Sequence, residues 1–98
     1  MFIQTQKTPN PNSLKFLPGT KISNIDSMEF LNKDQTDNNL IRDILSIDGV
    51  ESVFLGIDFL SVNKSANTEW EDIKHIVISL INDFFAQGNN FILDKNPK

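Results

Sequence analysis

The sequence predicts an α+β fold, a two-layer domain of ββαββα order in which two helices cover one face of a sheet. Two amphipathic segments with helical spacing are each preceded by two short segments typical of strands. Helices that cover one face of an open sheet bury the apolar side of every element. The 98 residues are enough for one domain with a modest core.

The first two strands are predicted over residues 2–7 and Ser13–Leu17, where short apolar stretches adjoin polar residues. The connecting segment 8–12 contains two prolines, which cannot donate to a sheet ladder, and two asparagines, which tolerate turn geometry. Pro18-Gly19 is a strong turn signal after the second strand. Together these segments predict a hairpin joined by a proline–asparagine loop, residues 8–12.

Residues 20–37 are polar with scattered apolar positions. A loop of this length without its own secondary structure is uncommon in a small domain. The alternatives are an irregular loop and a short edge strand over residues 27–32, in which Met28 and Phe30 share one face. The sequence does not separate them.

The first helix is predicted from Asn38 or the residue after it to Ile47, with its apolar residues on one side. Asp37 or Asn38 is the expected N-cap, because short polar side chains accept hydrogen bonds from the first turn. Asp48-Gly49 is the expected exit. This pattern predicts a helix docked on a sheet.

A second hairpin is predicted from strands over Val50–Leu55 and residues 59–64. Gly56-Ile57-Asp58 connects them. Glycine and aspartate suit a tight connection, and we expect a positive φ there.

The second helix is predicted to begin at a capping box over residues 68–71, with Thr68 as the cap, and to stop at Gly88. Its core-facing stripe comprises Trp70, Ile73, Val77, Leu80, Ile81 and Phe84. The apolar arc of this helix is wider than one sheet face usually needs, because it also includes Ile76, Ile78 and Phe85.

Two features are candidates for contact with a partner protein, and each has a structural alternative. The rigid loop residues Pro9, Asn10 and Pro11 suit recognition, or they set the register of the hairpin, which we favour. Ile78 and Phe85 become the leading candidates if they form an exposed patch. Otherwise we expect them to contact the first helix or to stay partly exposed.

No set of residues converges on a catalytic, cofactor-binding or metal site. The chain has no cysteine and one histidine, His75, on the polar side of the second helix, and a single nitrogen ligand makes a poor transition-metal site. Glu69, Glu71 and Asp72 fit the first turn of a helix, where carboxylates favour the positive dipole end. The residues therefore predict neither an enzyme nor a bound cofactor.

The net charge of −4 is the wrong sign for nucleic acid or an anionic membrane surface. The longest nearly apolar run, residues 76–81, falls far short of the about 20 residues of a membrane span. We therefore expect neither partner. Without a recognisable targeting signal, the expected location is the bacterial cytoplasm, with the mitochondrial matrix after processing as the alternative.

Four stretches, in this order, suggest a family: residues 1–5, the run that begins Thr-Pro-Asn-Pro-Asn at 8–16, residues 47–56 and residues 58–64. With Trp70 opening the last helix, they resemble the N-terminal domain of the Nfu/NifU-type iron–sulfur cluster scaffold proteins. The resemblance covers residues 1–87 and implies the same ββαββα fold. Residues 88–98 are then a polar tail or linker.

In full-length members of that family, a C-terminal NifU-like domain carries a Cys-x-x-Cys motif, and pairs of subunits hold a 4Fe–4S cluster. This chain has no cysteine, so iron binding is a property of the family that no residue here inherits. Asn38-Asn39 also replaces a frequent Ser-Pro helix start, which affects only the cap.

The role that the resemblance implies is an accessory module for protein interaction or positioning in iron–sulfur cluster assembly or delivery. The partners it implies are iron–sulfur assembly proteins, apo target proteins or a C-terminal NifU-like domain. The alternative is a free-standing module that binds an unknown partner in the same pathway.

Overall fold

Five strands form one antiparallel sheet in the computed structural model, which describes residues 2–25, 27–90 and 92. The strands are β1 (Gln4–Lys7), β2 (Ser13–Leu17), β3 (Met28–Phe30), β4 (Val50–Leu55) and β5 (Leu60–Lys64). The helices are α1 (Asn39–Leu45) and α2 (Trp70–Ala86), and a short 3-10 turn occupies Lys33–Gln35. Across the sheet the order is β1-β2-β5-β4-β3. The predicted α+β fold is confirmed.

The core lies between the sheet and the two helices. Leu14 and Phe16 of β2 pair with Val62 and Leu60 of β5, and all four side chains are buried. The helices contribute Leu40, Ile41 and Ile44 from α1 and Ile73, Val77 and Ile81 from α2. The stripe predicted for α2 is therefore buried at its centre, whereas its flanking side chains are only partly buried.

The segment 20–37 contains the edge strand that was one of its two predicted alternatives. β3 pairs with β4, and Phe30 lies opposite Val53. Both of these side chains are buried, whereas Met28, on the same face, is 42% exposed at the margin of the core. Burial of one aromatic ring and pairing with β4 thus hold this short strand in place.

The first helix begins as predicted and ends early. Asn38 is the N-cap, and its side-chain oxygen accepts a hydrogen bond from the amide of Ile41 at 3.0 Å. The helix stops at Leu45, two residues before Ile47, and Gly49 turns the chain into β4 with a φ of +100°.

The positive φ expected in the second hairpin is wrong. Gly19, Gly49 and Gly88 adopt positive φ, and Gly56 does not. Gly56 is instead favoured by packing, because a Cβ at this position would lie 2.3 Å from Cε1 of Phe59, so the ring would have to move. The sequence predicts a glycine in a tight connection here. In the structure, the reason for a glycine at position 56 is the aromatic ring that lies against it.

The capping box expected at the start of α2 is also wrong. The N-cap is Glu69, whose side chain makes no capping hydrogen bond. The Thr68 hydroxyl lies 2.9 Å from the Ser65 hydroxyl instead. The predicted stop is confirmed, since α2 ends at Ala86 and Gly88 follows with a φ of +94°.

The predicted tail or linker is described only at residues 88–90 and 92. Ile92 is 3% exposed and belongs to the core, and its amide donates to the carbonyl of Ile22 at 2.7 Å. This contact ties position 92 to the folded domain. The predicted boundary after residue 87 stays a prediction.

Candidate functional site

A cleft of about 400 Å³ lies between the proline–asparagine loop and the start of α2. The loop cleft, as we call it, is lined by residues 8–11, by Leu14, by Trp70 and by the lysines Lys7 and Lys74. The structure therefore places the candidate contact residues Pro9, Asn10 and Pro11 opposite an aromatic ring that the sequence assigned to the core.

The backbone of the loop is fixed by its own polar side chains. The amide of Asn12 donates to Oδ1 of Asn10 at 2.9 Å, and the amide of Asn10 donates to Oγ1 of Thr8 at 3.2 Å. A backbone hydrogen bond from Ser13 to the carbonyl of Asn10, at 3.0 Å, closes the turn. Such side-chain turns, together with two prolines, order a loop before any ligand arrives.

Two neighbouring elements hold the loop from outside. Nε1 of Trp70 donates to the carbonyl of Pro11 at 3.0 Å. On the β5 side, the amide of Lys64 donates to the carbonyl of Asn12 at 2.8 Å, and Nζ of Lys64 donates to Oδ1 of Asn12 at 3.0 Å. The wall of the loop cleft is therefore preformed.

Trp70 is itself held by contacts on several sides. Its ring packs edge-on against Phe16, with 6.5 Å between centroids, and Nζ of Lys64 lies 5.7 Å from its centroid. Lys64 is only 8% exposed, and a buried ammonium group needs such polar and aromatic partners. Since the single donor of the indole is used by Pro11, the ring surface left for a ligand is apolar.

The electrostatics of the loop cleft differ from those of the whole chain. The net charge is −4, yet the described residues that line the loop cleft include two lysines and no acidic residue. A slightly larger cleft of about 500 Å³ beside β3 is lined by Asp37 and no lysine. The loop cleft thus combines a local positive charge with an aromatic wall.

The convergence of Lys7, Trp70 and Lys74 was missed by sequence reasoning. The hydrogen bond between Trp70 and Pro11 joins positions 59 residues apart, a separation that no local pattern encodes. Lys74 stands one helical turn after Trp70, which is the only local signal that both share a face.

The other candidate contact residues lie elsewhere on α2. Ile78 and Phe85 are partly buried and pack against the core, and the Phe85 ring meets the Phe84 ring edge-on at 5.1 Å. They do not form the exposed patch that would make them the leading candidates. Partner contact at Pro9, Asn10, Pro11, Ile78 or Phe85 stays a prediction.

The donors on the described residues offer no grouping of the kind that a metal centre needs. His75 is exposed, and the described residues contain no group of three or more histidine, cysteine, aspartate or glutamate side chains that could hold a metal ion. The chain has no thiolate, the ligand on which such clusters depend. In the described part of the chain, neither helix combines the length and apolarity required to cross a bilayer.

The family described as "Scaffold protein Nfu/NifU N terminal" matches residues 3–88. NifU-like protein 4, mitochondrial, of Arabidopsis thaliana is 42% identical over 95 residues, which cover 96% of this chain and 34% of that protein. The Homo sapiens protein named NFU1 iron-sulfur cluster scaffold homolog, mitochondrial, is 41% identical over 99 residues, which cover 99% of this chain and 39% of that protein. The chain thus spans about a third of the length of the curated relatives it matches.

Solved structures agree with this match. A solution structure of a NifU-like protein from Saccharomyces cerevisiae superposes with a TM-score of 0.81 at 30% identity, covering 97% of this chain and 86% of that one. A crystal structure of a Staphylococcus aureus protein gives a TM-score of 0.73 at 30% identity, covering 83% and 99%. With a match over nearly its whole length and this shared fold, the chain belongs to the N-terminal domain family of the Nfu/NifU scaffold proteins.

Proposed function

We propose that this domain is an accessory module of an iron–sulfur cluster assembly or delivery scaffold. Its role is to contact or position partner proteins, and it does not itself ligate the cluster. The observation that carries the proposal is the loop cleft, a preformed and locally positive surface in a chain without cysteine.

The cluster is the cargo of such a scaffold, and the side chains of this domain are unsuited to hold it. Cluster iron is bound mainly by thiolates, and the carboxylates Glu69, Glu71 and Asp72 are all exposed at the start of α2. The remaining two thirds of a protein as long as the relatives has ample room for a separate ligand-bearing domain. The same lack of converging side chains supports a role other than catalysis.

The partners that this role implies are iron–sulfur assembly proteins, apo target proteins or a C-terminal NifU-like domain. The names of the relatives include the word mitochondrial, which supports the mitochondrial alternative over the bacterial cytoplasm. A free-standing binding module in the same pathway is the second possibility. A Cys-x-x-Cys motif encoded downstream of Lys98 in the source gene would decide for the scaffold.

Anaerobic reconstitution with ferrous iron and sulfide tests the claim about the cluster. We expect the 98-residue chain to be colourless after desalting, because only weak iron binding by surface carboxylates is available to it. The same domain fused to a Cys-x-x-Cys domain is the control and should turn brown. Cluster absorption from this chain alone, at one cluster per chain or per pair of chains, would contradict the proposal.

Cluster transfer tests the accessory role in the same fusion protein. A scaffold with this domain is compared with the scaffold lacking it, and the transfer rate to an apo target protein is measured after equal loading. We expect unchanged cluster content and slower transfer without the domain. Equal transfer rates would reject the role in partner contact, and a lower cluster content would show that the domain supports ligation.

A further inference from the structure

We infer that the loop cleft receives an extended acidic segment of a partner protein, which adds as a strand beside β1 and places a carboxylate between Lys7 and Lys74. The inference rests on the proposed function, since it states the chemistry of the partner that the accessory module contacts.

The first support is the position of β1 at the edge of the sheet. β1 pairs only with β2 among the described strands, and three of its four residues are exposed. An edge strand presents backbone N–H and C=O groups that a further strand can pair with. Lys7 is the last residue of β1 and also lines the loop cleft, so a strand added there runs directly into the cleft.

The second support is the difference in charge between the two edges of the sheet. At the β1 edge, Lys7 and Lys74 line the loop cleft with no acidic residue, whereas the cleft at the β3 edge is lined by Asp37 and no lysine. The carboxylates of Glu69 and Glu71 are exposed at the start of α2 but line neither cleft. An acidic segment is attracted to the first edge and repelled by the second. Lys7 also disfavours the pairing of two copies of β1, because both strands would bring the same charge to the new edge.

The third support is the apolar surface between the lysines. The ring of Trp70 and the side chain of Leu14 line the loop cleft, and the indole donor is already occupied by Pro11. An aliphatic side chain next to the carboxylate would cover this surface. The volume of about 400 Å³ is at the small end of the range for binding pockets and suits a short stretch of side chains.

The experiment uses the 98-residue chain and a labelled short peptide that alternates glutamate with valine. Binding is followed by fluorescence anisotropy and by amide chemical shifts. The largest shifts are expected along β1 and at the indole of Trp70. Two further peptides, one with glutamine for glutamate and one with proline for a central valine, should bind more weakly, because they lose the charge and the backbone donor respectively.

Matched variants test the two lysines. The double substitution Lys7→Gln and Lys74→Gln should weaken binding of the glutamate peptide roughly fivefold, the loss expected from two partly exposed ion pairs. Lys21→Gln with Lys33→Gln changes the net charge equally at two other exposed lysines and should change the affinity less than about twofold. Thermal unfolding confirms that both double variants are folded.

Equal affinity for the glutamate and glutamine peptides, or the largest shifts on β3, would overturn the inference. Equal losses of affinity in the two double variants would also overturn the inference, because that result depends on net charge alone. None of these outcomes changes the result of the transfer experiment. The accessory role can therefore be supported even when the acidic partner segment is ruled out. Slower transfer without the domain combined with no peptide binding would identify that case.

Discussion

The two hairpins of the sheet hold their loops by different means. In the hairpin of β4 and β5, the ring of Phe59 lies against Gly56, and the carbonyl of Ile57 accepts hydrogen bonds from the amides of Ile22 and Ser23 at 2.7 and 3.1 Å. That turn is filled by a ring of its own hairpin, while Ile57 and Asp58 line a separate cleft of about 410 Å³ with Leu17 and residues 19–21. The proline–asparagine loop is instead held by side-chain hydrogen bonds, and its cleft is lined by the ring of Trp70 from α2.

The difference shows how one sheet can support a structural turn and the proposed binding surface at once. A turn closed by an aromatic ring depends on volume, so an added methyl group disturbs it. A turn held by polar side chains depends on its hydrogen bonds, so a substitution that removes a donor or an acceptor disturbs it. Substitutions that change only side-chain volume, or only hydrogen bonding, therefore test the comparison.

The largest effect is expected from Gly56→Ala, which we predict to lower the free energy of unfolding by about 2 kcal/mol because the new methyl group overlaps the Phe59 ring. Urea denaturation measures the change. In a Phe59→Leu background the same substitution should cost about 1 kcal/mol less, since the overlap is partly removed. Equal costs in both backgrounds would show that packing against Phe59 is not what requires the glycine.

A smaller effect is expected from Asn12→Ala, which removes the side-chain acceptor of the buried Lys64 ammonium group. We predict a loss of about 1.5 kcal/mol, the cost of leaving a charged donor short of one partner. The control is Lys64→Met, in whose background Asn12→Ala should be nearly neutral. A full loss in that background would assign the effect to the loop backbone instead.

The smallest effect is expected when Pro9 and Pro11 are both replaced by alanine. The unfolded chain gains conformational freedom, and we predict a loss of about 1 kcal/mol in stability. Thermal unfolding measures this loss. The free energy of binding the glutamate peptide should change by less than the free energy of unfolding. Unchanged thermal stability with lost partner binding would show that the prolines contact the partner directly, against the structural role that we favour.

Most of the fold could be predicted because it follows from local patterns. The apolar spacing of Ile73, Val77 and Ile81 fixed the buried face of α2, and Gly88 fixed its end. The edge strand at Met28–Phe30 could not be chosen over a loop, since its three residues are held by one buried ring and by pairing with a strand distant in sequence.

The errors share one physical cause, which is competition from tertiary contacts. Thr68 has the sequence context of a cap, but its hydroxyl is paired with Ser65 and its side chain lies against Gly49. The same holds for the candidate site. The loop is predicted to be rigid, whereas the meeting of Lys7, Trp70 and Lys74 depends on the packing of Trp70, at the start of α2, against Phe16 of β2.

The burial of Ile92 has a consequence for the geometry of a longer protein. Ile92 lies beside Met28 and Phe30, at the β3 edge, while the loop cleft opens at the β1 edge. Four inter-strand spacings separate these edges, a distance of about 19 Å. Position 92 therefore lies on the far side of the sheet from the loop cleft, and about six extended residues would span that width. Under the proposed function, a domain joined after Ile92 and a strand bound at β1 would reach the sheet from opposite edges.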